Sequence, residues 1–453
     1  MDHDCHRIPV KAQLATQPLG IAGIVTAARR NVLEIIPELA TRQPMVSGKV
    51  FRRWHMVMDP DGLRHILRDR VDDYPKSEVA KGVVRPAIGN SLFVAEGSDW
   101  LRQRRTAAGA FTSRAIRRIG PVMTAAAERL VSRVKSAAPA TLDMCEEFTA
   151  ATFEVISDVT FGDGVGMQRD LVNRAISSYL AGAARASVLD IIGAPAWIPR
   201  LRTLVTDPAV RDMKRIAEQV IAQRAANSEN DGDDLHSLLA NGLDPETGRP
   251  MTRTELRNNL LTFIVAGHET TTLALTWSLY LLAFDQQIQD QARREVRTMI
   301  SSGRLSAADI SRLPTIRQIV LESMRLYPPA ALLLRTSRVQ DEICGREVRP
   351  GDMMMLPIYA LHRNICYWDN PDGFEPQRFA DSKTANSPAY LPFGAGPRAC
   401  IGSGFAMQEA IILLAALIRD LHFMLAPGQQ PEPVMVLTLR PRKGIRFNVA
   451  PLG

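Results

Sequence analysis

One unbroken helical pattern, from Thr252 to about Phe284, restricts the fold of this chain more than any other feature of its sequence. Thr252 and Glu255 have the spacing of a capping box, and the pattern then continues for about 30 residues, well above the usual helix length. The stretch is long enough to cross a bilayer, but His268 and Glu269 lie within it, where a charge is costly in lipid. We therefore predict a long helix through a protein core and no transmembrane anchor.

The composition is that of a protein with a large buried core. Of the 453 residues, 46% are hydrophobic, and the formal net charge is +7. No block of Lys and Arg resembles a nucleic-acid arm, so we expect no nucleic-acid partner. The five cysteines are odd in number and widely spaced, which argues against a disulfide framework or a zinc site and favours a reducing compartment. The N-terminus, MDHDCHRIPV, lacks a basic-then-apolar signal segment, so we expect a soluble, cytoplasmic protein.

The remaining patterns predict many helices and few strands. We find no internal repeat and no segment long enough to link two domains, so residues 1–453 are interpreted as a single, mainly α domain with minor β and no reductase domain. The predicted elements are strands at 46–51 and 54–58, a helix at 59–68, mostly helix at 98–226 with breaks at 193–199 and 206–208, polar loops at 227–234 and 241–250, a helix from 314 to before 328, strands and turns at 332–357, an irregular stretch at 362–397, a helix at 404–421 and a hairpin of 434–439 with 445–449.

The strongest chemical signal is the segment FGAGPRACIG, residues 393–402. A haem iron needs a thiolate that is held rigidly and shielded from water. Gly396 and Gly402 allow the backbone to approach a flat ring closely, and Cys400 comes just before a helix, whose positive end lowers the pKa of a thiol. Phe393 can pack beside the sulfur, and Arg398 can reach a haem propionate. The competing interpretation is a glycine-rich loop with an ordinary buried cysteine.

Other short patterns occur at distant positions in the chain. Glu322 and Arg325 are three residues apart on a predicted helix and can pair, although such pairs are usually solvated. They precede the segment LYPP at 326–329, and FEPQRF follows at 374–379. On the long helix, AGHETT at 266–271 places an acid next to a hydroxyl, a combination that can relay protons through water. Taken alone, this stretch could equally be a threonine-rich part of a core helix.

Taken together, these segments resemble the cytochrome P-450 family. Residues 393–402 match its haem-binding signature, F-x-x-G-x-R-x-C-x-G, at every fixed position. The resemblance implies the cytochrome P-450 fold, with haem b (iron protoporphyrin IX) between the long central helix and the cysteine loop, and Cys400 as the iron ligand. By the same resemblance Glu269 and Thr270 are the catalytic acid and hydroxyl. The other residues implied are Phe393, Gly394 and Arg398 in the loop, Trp100, Arg104 and Arg335 as residues that bond the haem propionates, and Glu322, Arg325 and Arg378 as a charge triad that braces the loop.

The resemblance also implies the reaction and its participants. We expect a monooxygenase that inserts one atom of O2 into a small lipophilic molecule of fatty-acid, terpenoid, steroid or polyketide type. The residues expected near the distal face of the haem are Phe93, Val265, Ala266, Ala330, Ala331 and Leu437, which would form an apolar cavity.

No flavin or iron–sulfur segment is present, so a separate ferredoxin or flavodoxin with its reductase is expected to supply electrons. The cations expected at its docking surface are Arg102, Arg105, Arg114, Arg117 and Arg118, unless they are ordinary solvated charges. The alternatives are a peroxide-driven or redox-neutral member of the family, and a haem protein that only senses gas or carries electrons.

Overall fold

Helices make up most of the part of the chain that the structure describes. The structure is a computed structural model and describes residues 8–161, 208–226, 234–300 and 305–452. Its helices are α1 (Ile21–Arg30), α2 (Pro60–Arg64), α3 (Glu78–Ile88), α4 (Gly97–Ala108), α5 (Ser113–Ala137), α6 (Met144–Phe161), α7 (Pro208–Ala226), α8 (Leu235–Ala240), α9 (Arg253–Phe284), α10 (Gln286–Met299), α11 (Pro314–Leu326), α12 (Ile358–Leu361), α13 (Ser382–Ala385) and α14 (Ser403–Asp420).

The strands of the described residues form four small sheets. They are β1 (Met45–Lys49), β2 (Arg53–Val57), β3 (Ala140–Asp143), β4 (Leu333–Thr336), β5 (Asp341–Ile343), β6 (Arg346–Val348), β7 (Met353–Leu356), β8 (Leu421–Leu425), β9 (Pro433–Met435), β10 (Leu439–Pro441) and β11 (Arg446–Pro451). The largest sheet has the order β1-β2-β7-β4, with β2 parallel to β7 and the other pairs antiparallel. In it, β4 pairs with β7 from Leu333 opposite Leu356, which places Arg335 at the sheet edge next to the core.

The predicted long helix is α9, and it is the centre of the core. The Thr252 hydroxyl accepts from the backbone N–H of Glu255, and the Glu255 carboxylate accepts from the backbone N–H of Thr252, so the capping box is formed. Almost every side chain from Leu256 to Ala283 is buried, because α6, α7, α11 and α14 pack around the helix. A helix that is apolar on all sides belongs inside a large core. Among the described residues, no helix is long and apolar enough to span a membrane.

Two further helices hold the segments with predicted function. Helix α11 begins at Pro314 and ends at Leu326, as predicted, because proline fits the first turn and the residue before Pro328 disfavours helix. Helix α14 begins three residues after Cys400, so the cysteine loop leads directly into a buried helix. The strands predicted for residues 332–357 are also present as β4 to β7.

The predicted C-terminal hairpin is wrong. Strand β9 pairs with β10, and β11 instead lies between β8 and β3, with Val449 opposite both Phe423 and Ala140. The short strand β3 was not predicted at all. The turn residues near Gly444 suggested a local hairpin, but β8 and β3 pair with the two edges of β11, and Phe447 and Val449 are buried there. Register is decided by such burial rather than by turn chemistry alone.

The helix predicted for residues 59–68 is divided. Asp59 caps α2, and His65–Asp69 continue it as one wider π turn. The predicted breaks at residues 193–199 and 206–208 and the loop at 227–234 fall largely outside the described residues, although α7 does begin at Pro208. The loop at 241–250 is present between α8 and α9, closed by a bridge between Leu243 and Pro250.

Candidate haem-thiolate site

The cysteine loop is held in shape by two glycines and its own backbone. The backbone N–H of Cys400 donates to the carbonyl of Phe393 at 2.9 Å, which closes the loop. Gly394 and Gly396 both have φ +70°, a conformation that glycine adopts without strain. A Cβ on Gly396 would lie 2.0 Å from the carbonyl oxygen of Leu67, so no other residue fits there without movement of the backbone. The loop is thus a rigid frame for one thiol.

The Cys400 thiol faces an open space inside the protein. Its side chain is accessible, yet protein atoms surround it closely enough that burial raises the pKa of the thiol above its ordinary value. The backbone N–H of Gly402 and the charges of Arg104 and Lys76 lower this pKa, but by less than burial raises it. The expected effect of the helix end is therefore present but outweighed. A metal cation at the sulfur would favour the thiolate, because coordination deprotonates a thiol.

Glu322, Arg325 and Arg378 form a buried ion cluster. The side chains of Glu322 and Arg325 are both 0% exposed, and Arg325 Nε lies 2.7 Å from Glu322 Oε2. Arg378 Nε lies 3.1 Å from the other carboxylate oxygen of Glu322. Arg325 also donates to the carbonyls of His362, Pro371 and Gly373, so it fastens the irregular stretch that leads to the cysteine loop. The three residues thus lie together, as the resemblance implied.

Three cations gather at one edge of the same space. A backbone bridge pairs Lys76 with Arg335, and Arg398 lies 4.3 Å over the ring of Trp100. Burial and neighbouring cations lower the pKa of Lys76 to about 7 and that of Arg335 to about 10. The pKa of Arg398 is lowered too, mainly by burial. Such an accumulation of positive charge destabilises the protein unless anions compensate it.

Within the described residues, the anions do not satisfy this cluster. Glu96 pairs with Arg398 and lies 3.7 Å from Lys81, but Nε of Arg335 and Nε of Arg398 are buried without a hydrogen-bond partner. Unpaired buried donors of this kind require an acceptor. Two carboxylates on one side of a flat ring would supply acceptors and negative charge together, so these residues fit the propionates of a haem. Arg104 lies close enough to Cys400 for their charges to interact.

One side of the long helix α9 is open, as the surroundings of the Cys400 thiol are. Ala266 is exposed, and Gly267, Glu269 and Thr270 are partly exposed, in a helix whose neighbouring turns are buried. The Thr270 hydroxyl donates to the carbonyl of Ala266 at 2.8 Å. Threonine bonds to the preceding turn in this way tilt carbonyls and open a helix locally. The open side of α9 therefore carries both the acid and the hydroxyl expected there.

The Glu269 carboxylate is held by the β9–β10 hairpin. Arg440 donates to it, and the Thr438 hydroxyl donates to the same oxygen at 2.9 Å. The hairpin is itself attached to the core, because Leu439 N–H donates to the carbonyl of Pro329, and Trp277 donates to the carbonyl of Leu439. The sequence offered no motif for Arg440, which lies 171 residues from its partner.

The residues expected to line the substrate cavity differ in their surroundings. Ala330 and Ala266 are exposed beside buried neighbours, as residues that line a cavity would be. Ala331 and Val265 are buried, and Leu437 is partly buried. Phe93 is 38% exposed and stacks under Lys76 Nζ at 4.0 Å, so it lies at the cation cluster. Lys76 itself lies in a loop with no recognisable motif, and sequence reasoning missed it.

The expected electron-donor surface needs a correction. Arg102 pairs with Glu255, and Arg105 lies 2.6 Å from the carboxylate of the fully buried Asp244. Each arginine thus belongs to an ion pair that connects α4 to the region around the start of α9. Arg114 and Arg117 are exposed at the start of α5, so they are accessible to an electron donor as predicted.

The cysteine loop, the cation cluster and the open side of α9 together define a haem-thiolate protein. The sequence profile of cytochrome P450 matches residues 22–449, and the chain therefore belongs to the cytochrome P450 family, as a monooxygenase. It is 31% identical over 413 residues to a putative cytochrome P450 132 of Mycobacterium tuberculosis, which covers 87% of each chain. It is 30% identical to a cytokinin hydroxylase of Arabidopsis thaliana over 81% of this chain and 73% of that one, and 29% identical to a cyclooctatin synthase of Streptomyces melanosporofaciens over 94% of each.

A solved structure agrees on the fold. The haem domain of cytochrome P450DA superposes with a TM-score of 0.82 over 99% of both chains, at 24% sequence identity. The predicted family and the predicted mainly α fold are thus confirmed. Haem as the cofactor, and O2 and a redox partner as participants, follow from membership of the family.

Proposed function

We propose that this enzyme inserts one oxygen atom from O2 into a small lipophilic molecule at haem b, with electrons from a separate ferredoxin or flavodoxin and its reductase. The observation that carries the proposal is the open side of α9, where Glu269 and Thr270 lie together in an otherwise buried helix. An acid and a hydroxyl in adjacent positions suit proton delivery at a water-poor site. The free thiols of the described cysteines agree with a cytoplasmic location.

Each group of residues has a defined part in the proposal. Cys400 would ligate the iron, Arg335, Arg398 and Lys76 would pair with the propionates, and the bound haem would supply the chemistry that activates oxygen. Thr270 would hold a proton at its hydroxyl oxygen, and Glu269 would replace that proton from the solvent side. Val265, Ala266, Ala330, Ala331 and Leu437 would exclude water and orient an apolar substrate, because apolar walls bind by removing such surface from water.

The start of α5 is proposed as the surface that meets the electron donor. A Cβ on Gly404 would lie 3.0 Å from Ile116, and Gln408 donates to the carbonyl of Ile116, so this turn packs against the helix that follows Cys400. Arg114 and Arg117 flank Ile116 and are exposed. A positive surface on the cysteine side would attract an acidic protein.

The first test is the difference spectrum of the reduced protein under carbon monoxide. A strongly red-shifted Soret band supports thiolate ligation. The Cys400→His variant, measured in the same way, should lack that band. A band at the position of histidine-ligated haem in fresh wild-type protein would contradict the proposed ligand. Screening of lipophilic compounds for a spectral shift then identifies the substrate class.

A second test addresses the proton path. Thr270→Val should consume O2 and electrons at a similar rate but yield at least about tenfold less product, since one positioned proton donor contributes at least that factor. Thr262→Val is the matched control, because Thr262 makes the same bond to its own preceding turn, at Asn258, within the buried part of α9. Equal product yields from the two variants would remove Thr270 from the mechanism.

A further inference from the structure

Three methionines lie side by side on one face of the largest sheet. Met353 and Met355 belong to β7, and Met56 belongs to the parallel strand β2, with Met56 opposite Met355 and Trp54 opposite Met353. Residues two apart on a strand point to the same face of a sheet, and residues directly opposite one another share that face. The three thioethers and the indole of Trp54 are therefore on one face, and the intervening Met354 is on the other.

These four side chains line a cavity of about 60 Å³ between the sheet and α1. Met56, Met353 and Met355 are each at most 4% exposed, and Trp54 is partly buried, so the thioethers reach the cavity while bulk solvent does not reach them freely. The rest of the wall is aliphatic apart from two arginines: Ile24, Ile35, Val50, Arg52 and Arg53.

The two arginines leave little net charge inside this cavity. Nε of Arg53 lies 3.1 and 3.0 Å from the two carboxylate oxygens of Asp352, and Nη1 of Arg53 lies 3.6 Å from Oε2 of Glu347. Arg52 is exposed, so water and salt screen its charge. Among the described residues, no carboxylate, thiol or imidazole lines the cavity, so zinc, calcium and magnesium would find none of their usual ligands there.

The ligands that the cavity does offer are soft and uncharged. Thioether sulfur selects Cu(I) among the metals of the first transition row. A neutral ligand set also favours a single positive charge, because each further charge raises the cost of leaving water for an apolar cavity. The indole that lines the same cavity adds cation–π attraction. Methionine has three rotatable side-chain bonds, so the sulfur atoms can close around a cation without movement of the strands.

We propose that Met56, Met353 and Met355, with the indole of Trp54 beside them, form a binding site for a soft monovalent metal cation of the Cu(I) class. The site is separate from the haem centre, because Arg335 pairs with Met354 and so lies on the opposite face of the sheet. It binds its cation without any part in oxygen chemistry, and its test is independent of the proposed monooxygenase reaction.

The test uses Ag(I) as the probe, since it has the charge and softness of Cu(I) but does not change its oxidation state in air. Full-length, haem-loaded protein in its oxidised resting state is labelled with ¹³C at the methionine methyl groups. Accessible thiols are first blocked with N-ethylmaleimide, because Cys344 and Cys366 are free and exposed and would also bind silver. Silver nitrate is then added in chloride-free buffer while the methyl signals are followed by NMR.

Four single variants assign the signals. Met56→Leu, Met353→Leu and Met355→Leu each remove one sulfur atom with little change of volume. Met354→Leu is the matched control, because Met354 is equally buried on the same strand but faces away from the cavity. The intact carbon monoxide difference spectrum of each variant shows that it is folded and loaded with haem.

The methyl signals of Met56, Met353 and Met355 should move together and stop at one equivalent of Ag(I), and that of Met354 should stay. Loss of any one of the three ligands should weaken Ag(I) binding by at least about tenfold, since even the outer-shell partners of metal ligands contribute that much. Met354→Leu should bind as tightly as wild type.

Three outcomes would overturn the proposal. If the three signals stay in place, these methionines are packing residues and the cavity is not a metal site. If they move but the single variants bind Ag(I) as tightly as Met354→Leu does, the silver is held elsewhere. If Zn(II), added in the same way, moves the same three signals, the site does not select soft cations.

Discussion

Arg440, on strand β10, donates a hydrogen bond to the carboxylate of Glu269, on the central helix α9. The acid next to Thr270 is therefore attached to a hairpin that also contains Leu437, a residue proposed to line the substrate cavity. Arg440 is 31% exposed and Glu269 is 13% exposed, so the arginine is the more solvent-accessible member of the pair. The pair connects the C-terminal hairpin to the proposed site of proton delivery.

Loss of Arg440 should loosen this connection. Arg440→Gln leaves the Glu269 carboxylate with the Thr438 hydroxyl alone, so we expect the free energy of unfolding to fall by about 1–3 kcal/mol. The fraction of electrons that appear in product should fall as well, because the acid loses its fixed position. Urea denaturation and a product-to-electron ratio measure the two effects. Arg442→Gln is the control, since Arg442 and Glu432 form an exposed pair two residues further along, worth less than about 1 kcal/mol. Similar losses in both variants would contradict a special role for Arg440.

Removal of the Glu322 charge should be the most destabilising of these changes. Glu322→Gln leaves Arg325 buried and charged without its carboxylate, and breaking a buried pair in this way costs about 3–5 kcal/mol. We also expect weaker haem retention, since Arg325 no longer fastens the stretch before the cysteine loop. Urea denaturation and haem content of the purified protein are the measurements. Glu347→Gln, which breaks an exposed pair with Arg349, should cost less than about 1 kcal/mol. Wild-type stability in Glu322→Gln would refute the role of the cluster.

Lys76 should make the haem-free protein more stable at alkaline pH. Burial, and then the charges of Arg335 and Arg398, lower its pKa from 10.5 to about 7. Between these two values the unfolded chain binds more protons than the folded one, so the free energy of unfolding rises with pH over this window and levels off above it. Urea denaturation of haem-free protein at about pH 7 and about pH 9 tests this.

Two comparisons assign that rise to Lys76. Lys76→Met should remove most of it, whereas Lys49→Met, at an exposed position on β1, should retain it. Haem should also reduce the rise, because propionates compensate the positive charge that lowers the pKa of Lys76. An unchanged rise in Lys76→Met would show that other groups are responsible.

Charge reversal at Arg114 and Arg117 should slow reduction by the electron donor. The double variant Arg114→Glu/Arg117→Glu replaces two exposed positive charges beside the helix that follows Cys400, so association with an acidic donor should slow by about tenfold or more at low salt. Stopped-flow reduction with an acidic ferredoxin measures this, and the difference from wild type should shrink as salt rises. Lys49→Glu/Arg52→Glu carries the same change of charge on the β1–β2 turn and should reduce normally. Unchanged reduction of the α5 variant would exclude this surface.

The elements that were predicted correctly have signals within short stretches of chain. Helix α9 has a capping box and an unbroken apolar pattern. Helix α11 begins at Pro314 and ends just before Pro328. The hairpin predicted at the C-terminus was wrong because the true pairing of β11 involves a strand that is distant in sequence. Strand β11 lies between β8 and β3, and β3 is about 300 residues away in sequence, as the pairing of Asn448 with Thr141 illustrates.

By itself, the sequence determined the central helix, through its cap and its periodicity, which act between neighbouring residues. It also determined the family and the residue that presents a thiol, because residues 393–402 match the family's haem-binding signature. Only the tertiary structure decided which charges meet. Arg102 and Arg105 pair inward rather than face a partner, Lys76 joins Arg335 and Arg398, and Glu409 reaches Thr271. The reason is physical: the energy of a charge or a buried proton depends on what surrounds it in space, and that is set by packing between distant segments.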